Sequence, residues 1–224
     1  MSVQDTFRRL KHDHEIHEDI RQELKWDLDV TDERDIQISV TRGVVALNGQ
    51  ADSYAQRWAI EQAASRVAGV LSIDNNLTVK PPKEDDFHED DELVKVVNRT
   101  LEWDARVPLG VRATVADGIV TLLGAVSLFS EKEAAEDAVR NLVGITGVDN
   151  AISVSGPVTD LTAGLEAAVR RRIFPLADTI SVNVVDGTVT LRGTVPTAYD
   201  RAAIERAAWS VPSIRNVDDQ LNVS

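Results

Sequence analysis

Three pairs of glycines, each six residues apart, recur along this chain at Gly43/Gly49, Gly118/Gly124 and Gly187/Gly193. They anchor an ungapped alignment of 37 residues, from Gly43 to Val79, Gly118 to Val154 and Gly187 to Val223, at offsets of 75 and 69. Within it VAGVLSIDNNLTV, LVGITGVDNAISV and VPSIRNVDDQLNV fall in register. Chance does not produce three such copies, so the chain folds as three versions of one small unit rather than around one large core. Units of roughly 70 residues are marginally stable alone, so packing between units is expected.

Each unit reads in the same order. A helical stretch comes first, at Ile20–Trp26, Leu93–Trp103 and Leu161–Phe174. An alternating run follows, IQISV, VRATV or ISVNV, with the two-residue period of a half-buried strand. Tight turns then fall at Arg42-Gly43, Asp117-Gly118 and Asp186-Gly187, where a type I′ hairpin needs φ > 0 at both residues. A second strand (VVALNG, IVTLLG, TVTLRG) ends at the second glycine of each pair, so Gly49, Gly124 and Gly193 are also expected at turns. An Ala-rich helix starts after Asp52, Ser127 or Pro196. Its packed face is marked by Ala59/Ala134/Ala203 and Ala63/Ala138/Ala207. A last strand closes the unit at Leu77–Val79, Ile152–Val154 or Leu221–Val223. The fold class is therefore α+β: three tandem α-β-β-α-β modules, each a three-stranded mixed sheet covered on one face by two helices. The modules occupy residues 14–81, 87–155 and 159–224. Stiff proline-containing joints, Lys80-Pro81-Pro82-Lys83 and Ser155-Gly156-Pro157, separate them.

A GxVxLxG-type hairpin, an Ala-rich helix and a closing V-x-G-V-x-x-V-x-N-x-L-x-V together resemble the BON domain family, the transport-associated and nodulation domain. The closing motif is fullest in the first unit, at Val67, Gly69, Val70, Ile73, Asn75, Leu77 and Val79. The third unit departs from it, with Pro212-Ser213 in place of Ala-Gly and Asp219 in place of Asn75. The resemblance implies the α-β-β-α-β fold, a role in osmotic or envelope stress tolerance, and contact with phospholipid membranes. It supplies no catalytic residues.

Composition narrows the chemistry. With no Cys, thiol catalysis, thiolate metal sites and disulfides are excluded. The net charge of −13 disfavours nucleic acid as a partner, and residues 83–156 hold −8 of it, from 15 acidic against 7 basic residues. The first twenty residues are polar, and no apolar run is long enough to span a bilayer. A cytoplasmic location is the expectation, or a periplasmic one if the chain is a trimmed mature form.

No cofactor, metal or catalytic residue is expected, and the chain reads as a binding or scaffolding protein rather than an enzyme. Glu61/Glu136/Glu205 and Asp74/Asp149/Asp218 recur, and read as surface acids in preference to a shared cation site. His14-Glu15-Ile16-His17 is one residue short of the zinc-binding H-E-x-x-H pattern. The acidic run Glu84–Glu92 reads as complement to the dipole of the helix it opens, with weak cation binding left open. Positions that are apolar in one copy and polar in another mark candidate contact surfaces: Trp58, Leu128, Phe129 and Trp209. They suit packing between units, another protein, self-association, or a membrane wedge at Leu128-Phe129. Arg170, Arg171 and Arg172 suit the helix dipole, an acidic neighbour or an anionic headgroup. Trp26 and Trp103, which recur in Leu-Lys-Trp-Asp and Leu-Glu-Trp-Asp, are expected in the core. The leading function is stress tolerance through binding of a phospholipid surface or an envelope-associated partner. A cytoplasmic scaffold or ion-responsive binding protein is the alternative.

Overall fold

The structure is a computed structural model and describes residues 11–30, 35–80, 89–155, 162–173, 180–211 and 214–223. The first module runs α1 (Asp13–Trp26), β1 (Ile36–Thr41), β2 (Val44–Ala51), α2 (Tyr54–Ser65) and β3 (Ser72–Val79). The second runs α3 (Asp90–Trp103), β4 (Arg112–Ala116), β5 (Ile119–Leu123), β6 (Ala125–Val126), α4 (Phe129–Arg140), β7 (Gly147–Asn150) and β8 (Ser153–Val154). The third runs α5 (Thr162–Ile173), β9 (Ser181–Val185), β10 (Thr188–Val195), α6 (Ala198–Trp209) and β11 (Asn216–Val223). The acidic turns before Ile20 and Leu93 are already helix, and the closing strands begin well before Leu77 and Leu221, both earlier than the sequence reading has them.

Each sheet grows from its hairpin. Thr41 faces Val44, Ala116 faces Ile119 and Val185 faces Thr188, leaving two turn residues in every case. Their φ values are 52° and 77° at Arg42-Gly43, 51° and 73° at Asp117-Gly118, and 49° and 75° at Asp186-Gly187. This is the type I′ geometry, whose twist matches that of the flanking strands. The third strand lies parallel to the second in one register throughout: Val44 opposite Ser72, Ile119 opposite Gly147, Thr188 opposite Asn216.

The second glycine of each pair is not a turn, which corrects the sequence reading. Gly49 lies within β2 and Gly193 within β10, each two residues before the strand ends, and Gly124 sits between β5 and β6. The chain runs on because the parallel partner does. Gly49 pairs with Leu77 and Gly193 with Leu221, and the ladders continue to Ala51–Val79 and Val195–Val223. In the middle module β6 and β8 carry the same register on past Gly124. What these positions demand is a positive φ inside an extended run, 119° at Gly49, 142° at Gly124 and 148° at Gly193. At Gly49 close approach adds a second requirement, since a Cβ there would meet the Asp35 carbonyl oxygen at 1.9 Å.

The helices cover one face of each sheet. Ile16, Ile20 and Leu24 of α1, and Leu93, Val97 and Leu101 of α3, recur every four residues and are buried. Against them lie inward strand residues such as Val45 and Leu47, Val120 and Leu122, or Val189 and Leu191. The outward strand positions are largely Ser, Thr, Asn, Gln and Asp, and solvated.

A carboxylate ties the first helix to the hairpin. Asp13 accepts from the backbone N–H groups of Arg42 (2.8 Å) and Gly43 (3.0 Å). Asp90 accepts from those of Asp117 (2.7 Å) and Gly118 (3.1 Å) in the same way. The two amides hold the Asp13 carboxyl below its usual range. Asp90 thus gives part of the acidic run a specific partner besides the helix dipole.

The core expectation for Trp26 and Trp103 is overturned: they are 79% and 74% exposed. Each stands two residues beyond the last buried leucine of its helix, Leu24 or Leu101, which turns it roughly 200° away from the buried face.

Candidate functional site

Several of the recurring polar residues are used internally. Asn75 Nδ2 donates to Glu61 Oε2 (2.8 Å), and its Oδ1 accepts from the Leu77 N–H (3.2 Å). In the middle module Asn150 makes the matching bonds to Glu136 (3.3 Å) and Ile152 (3.4 Å). In the third, Asp219 accepts from Leu221 N–H (2.9 Å) and takes Arg201 Nε (2.7 Å) in place of an amide partner. The Asn-x-Leu of the closing motif is therefore a backbone brace that also joins the second helix to the last strand. Glu61 and Glu136 serve it. Asp74, Asp149 and Asp218 stand exposed on the outward sheet faces. Among the described residues no group of three His, Asp or Glu converges as a metal cage.

The non-recurring aromatics lie where modules meet. Tyr54, at the start of α2, is 8% exposed inside the apolar core of the second module. One turn on, Trp58 carries the Arg140 guanidinium from the end of α4 over its ring at 3.7 Å. At the start of α4, Phe129 stacks on Trp209, from the end of α6, at 5.5 Å. Glu133 and Arg206 approach to 3.9 Å beside that stack. At the start of α6, Ala198 packs against the core of the first module. In each case the start of one second helix meets its neighbour. The contacts run from the first module to the second, the second to the third and the third to the first, a closed head-to-tail ring. Burial, opposed by Arg206, pushes the Glu133 carboxyl up. Burial likewise raises the Tyr54 phenol, with the Glu136 charge adding to it.

The other candidate residues are also placed. Leu128 is the N-cap of α4, half-buried, with its N–H donating to Glu131 Oε2 (2.9 Å). Trp58, Phe129 and Trp209 are half-buried too. Arg170 donates from Nη2 to the Val182 carbonyl (3.0 Å) and from Nε to Glu166 (3.0 Å), which covers an acceptor on edge strand β9. Asn98 does the same for β4, giving to the Ala113 carbonyl and accepting from the Ala113 N–H. The side chains of Arg171 and Arg172, and residues 84–88 of the acidic run, lie outside the described residues.

What stands free is the end of the first helix in the first two modules. Beside Trp26, Leu28 is 96% exposed; beyond Trp103, Leu109 is 92% exposed. Arg99 lies over the Trp103 ring at 4.4 Å. A groove of about 700 Å³ runs between α3 and edge strand β4, lined by Trp103, Pro108, Leu109, Val111 and Arg112 among others. The sequence signal for this surface lies in the phase of Trp26 and Trp103 against the buried four-residue rhythm.

A family model described as the BON domain matches residues 12–81, 89–156 and 159–224. Among curated proteins, the osmotically-inducible protein Y of Escherichia coli strain K12 is 29% identical over 120 residues. That match spans 52% of this chain and 60% of the relative, less than two thirds of its length. Among solved structures, the chain matches CdsD, a structural protein of the type III secretion system of Chlamydia trachomatis. It is 13% identical, with 94% of this chain and 92% of that one covered and a TM-score of 0.27. The periplasmic domain of the type III secretion inner membrane protein PrgH from S. typhimurium is 15% identical, with 84% and 94% covered and a TM-score of 0.24.

Proposed function

This chain belongs to the BON domain family, and from that premise we propose that it is a non-enzymatic protein of osmotic or envelope stress tolerance that attaches to phospholipid surfaces. The observation that carries the reading is the pair of exposed first-helix ends, Trp26 with Leu28 and Trp103 with Leu109. A Trp ring is apolar over its body and polar at its N–H, which suits the headgroup boundary of a bilayer. Arg21 and Lys25 share a surface depression with Trp26 and Glu18, and Arg99 and Arg112 flank the Trp103 end beside Glu102, while Arg106 is paired with Asp104. These local cations favour anionic headgroups despite the negative net charge. The stress role is supported by the likeness to the osmotically-inducible relative.

The test is sedimentation with vesicles of neutral or anionic phospholipid at low and physiological salt. Binding that is lost in Trp26→Ser/Trp103→Ser, with folding intact, supports the reading. No binding by the wild type under any condition discards it. The groove beside β4 would then favour the second reading, a protein-binding scaffold, because its apolar lining of Leu101, Trp103, Pro108 and Leu109 can seat a partner's side chain.

A further inference from the structure

The three seams of the ring are unequal, and we infer that the third module swings away from the first while the first two modules stay together as a rigid pair. The seams differ in what they hold at equivalent positions. Tyr54, Phe129 and Ala198 align, as do Trp58, Glu133 and Ala202. On the facing ends, Ser65, Arg140 and Trp209 align, as do Gln62, Asp137 and Arg206.

The seam between the first and second modules is therefore aromatic against arginine. It is also continuous with a core, because Tyr54 and Val79 of the first module both pack into the apolar cluster of the second. The chain's exit from the first module is tied down as well, since Lys80 Nζ donates to Asp35 (2.7 Å) and Asp52 (2.9 Å). The seam between the second and third modules has one ring stack and one ion pair at 3.9 Å, whose side chains are each 39% exposed. Such an ion pair contributes little beyond the stack.

The seam between the third and first modules sets the small side chain of Ala198 against the first module's apolar core, with no large ring from α6 filling it. Among the described residues it carries neither a ring stack nor an ion pair, and Ala202 remains exposed where Trp58 and Glu133 are half-buried. No linker joins these two modules either, so only this contact between small side chains closes the ring. Two rigid seams would fix the third, so opening here requires the Phe129–Trp209 stack to act as the pivot.

Absence of Cys allows a direct test in the full chain. Ser39, Thr114 and Asn183 occupy equivalent exposed strand positions, one per module. Cysteine pairs introduced at 39/114, 114/183 and 39/183 carry spin labels, and distance distributions are read by double electron–electron resonance. The 39/183 distribution is expected to be broader than the 39/114 distribution by about twofold or more, as two exchanging states require. Equal widths for these two pairs would overturn the inference. Adding Phe129→Ala, with helical content checked by circular dichroism, should broaden 114/183 and leave 39/114 unchanged. Broadening of 39/114 in that background would also overturn it, since the first pair would then not be independently rigid.

Discussion

Two pairs of tryptophans in this molecule behave in opposite ways. Trp26 and Trp103 recur between modules and lie open to solvent, whereas Trp58 and Trp209 do not recur and are half-buried in the seams. Recurrence in a repeat reports that a position meets the same surroundings in each copy, and those surroundings can be water. Divergence reports that the copies meet different neighbours, which here are one another. An apolar residue in only one copy is thus a sign of module docking before it is a sign of an external ligand.

The largest effect should come from attacking the exposed pair. Loss of Trp26 and Trp103 as serines should weaken vesicle binding by about tenfold for each ring removed, because each change withdraws a large apolar surface from the lipid boundary. Retained binding would break the comparison by showing that these rings are merely exposed. Next comes the seam stack. Phe129→Ala should cost about 1–2 kcal/mol of stability in thermal or urea unfolding, the range for an aromatic pair together with part of its buried area. Trp58→Ala should cost about 1 kcal/mol, and its effect should largely vanish in an Arg140→Ala background, as a double-mutant cycle would reveal for a cation over a ring. Trp26→Ser should by contrast move stability by no more than about 0.5 kcal/mol, as befits a surface residue.

The smallest effect is one of pH. Burial raises the Glu133 carboxyl, so the folded chain holds that proton more tightly than the unfolded chain does. The associated stability is fully present below the unfolded glutamate range and is lost as pH rises through the folded value. Glu133→Gln should therefore flatten the decline of the melting temperature with pH over that interval. An unchanged slope would place the titration elsewhere.

Much of the module was legible before any coordinates. The hairpins were readable because Arg-Gly and Asp-Gly at a two-residue turn leave one favourable geometry, and all three turns adopt it within a few degrees. Gly49 and Gly193 misled for a definite reason: a glycine at the end of an alternating run looks like a turn, and only the parallel partner strand shows that pairing continues through it. The buried helical faces followed from the spacing of Ile16, Ile20 and Leu24. The exposure of Trp26 was equally present in that spacing, but recurrence pointed to a core position. The ring of modules was less accessible. It depends on which end of α2 meets which end of α4, and local periodicity carries no information about contacts between units. Three of the positions at which the copies differ, Trp58, Phe129 and Trp209, lie at contacts between modules. The fate of Arg170 was hidden for a related reason: its carbonyl partner, Val182, belongs to the edge of a strand, and edge status depends on sheet order.

The carboxylates of Asp13 and Asp90 carry a consequence for the order in which a module assembles. Each clasps two amides that point the same way only once the type I′ turn has formed, and those amides lie up to 30 residues later in the first module and 28 in the second. During synthesis the first helix emerges well before its anchor exists. The hairpin must close by local contacts first, after which the waiting helix can lock on. Nascent modules should therefore pass through a state with a formed hairpin and an undocked helix, in which Ile16 and Ile20, or Leu93 and Val97, stand open to a chaperone.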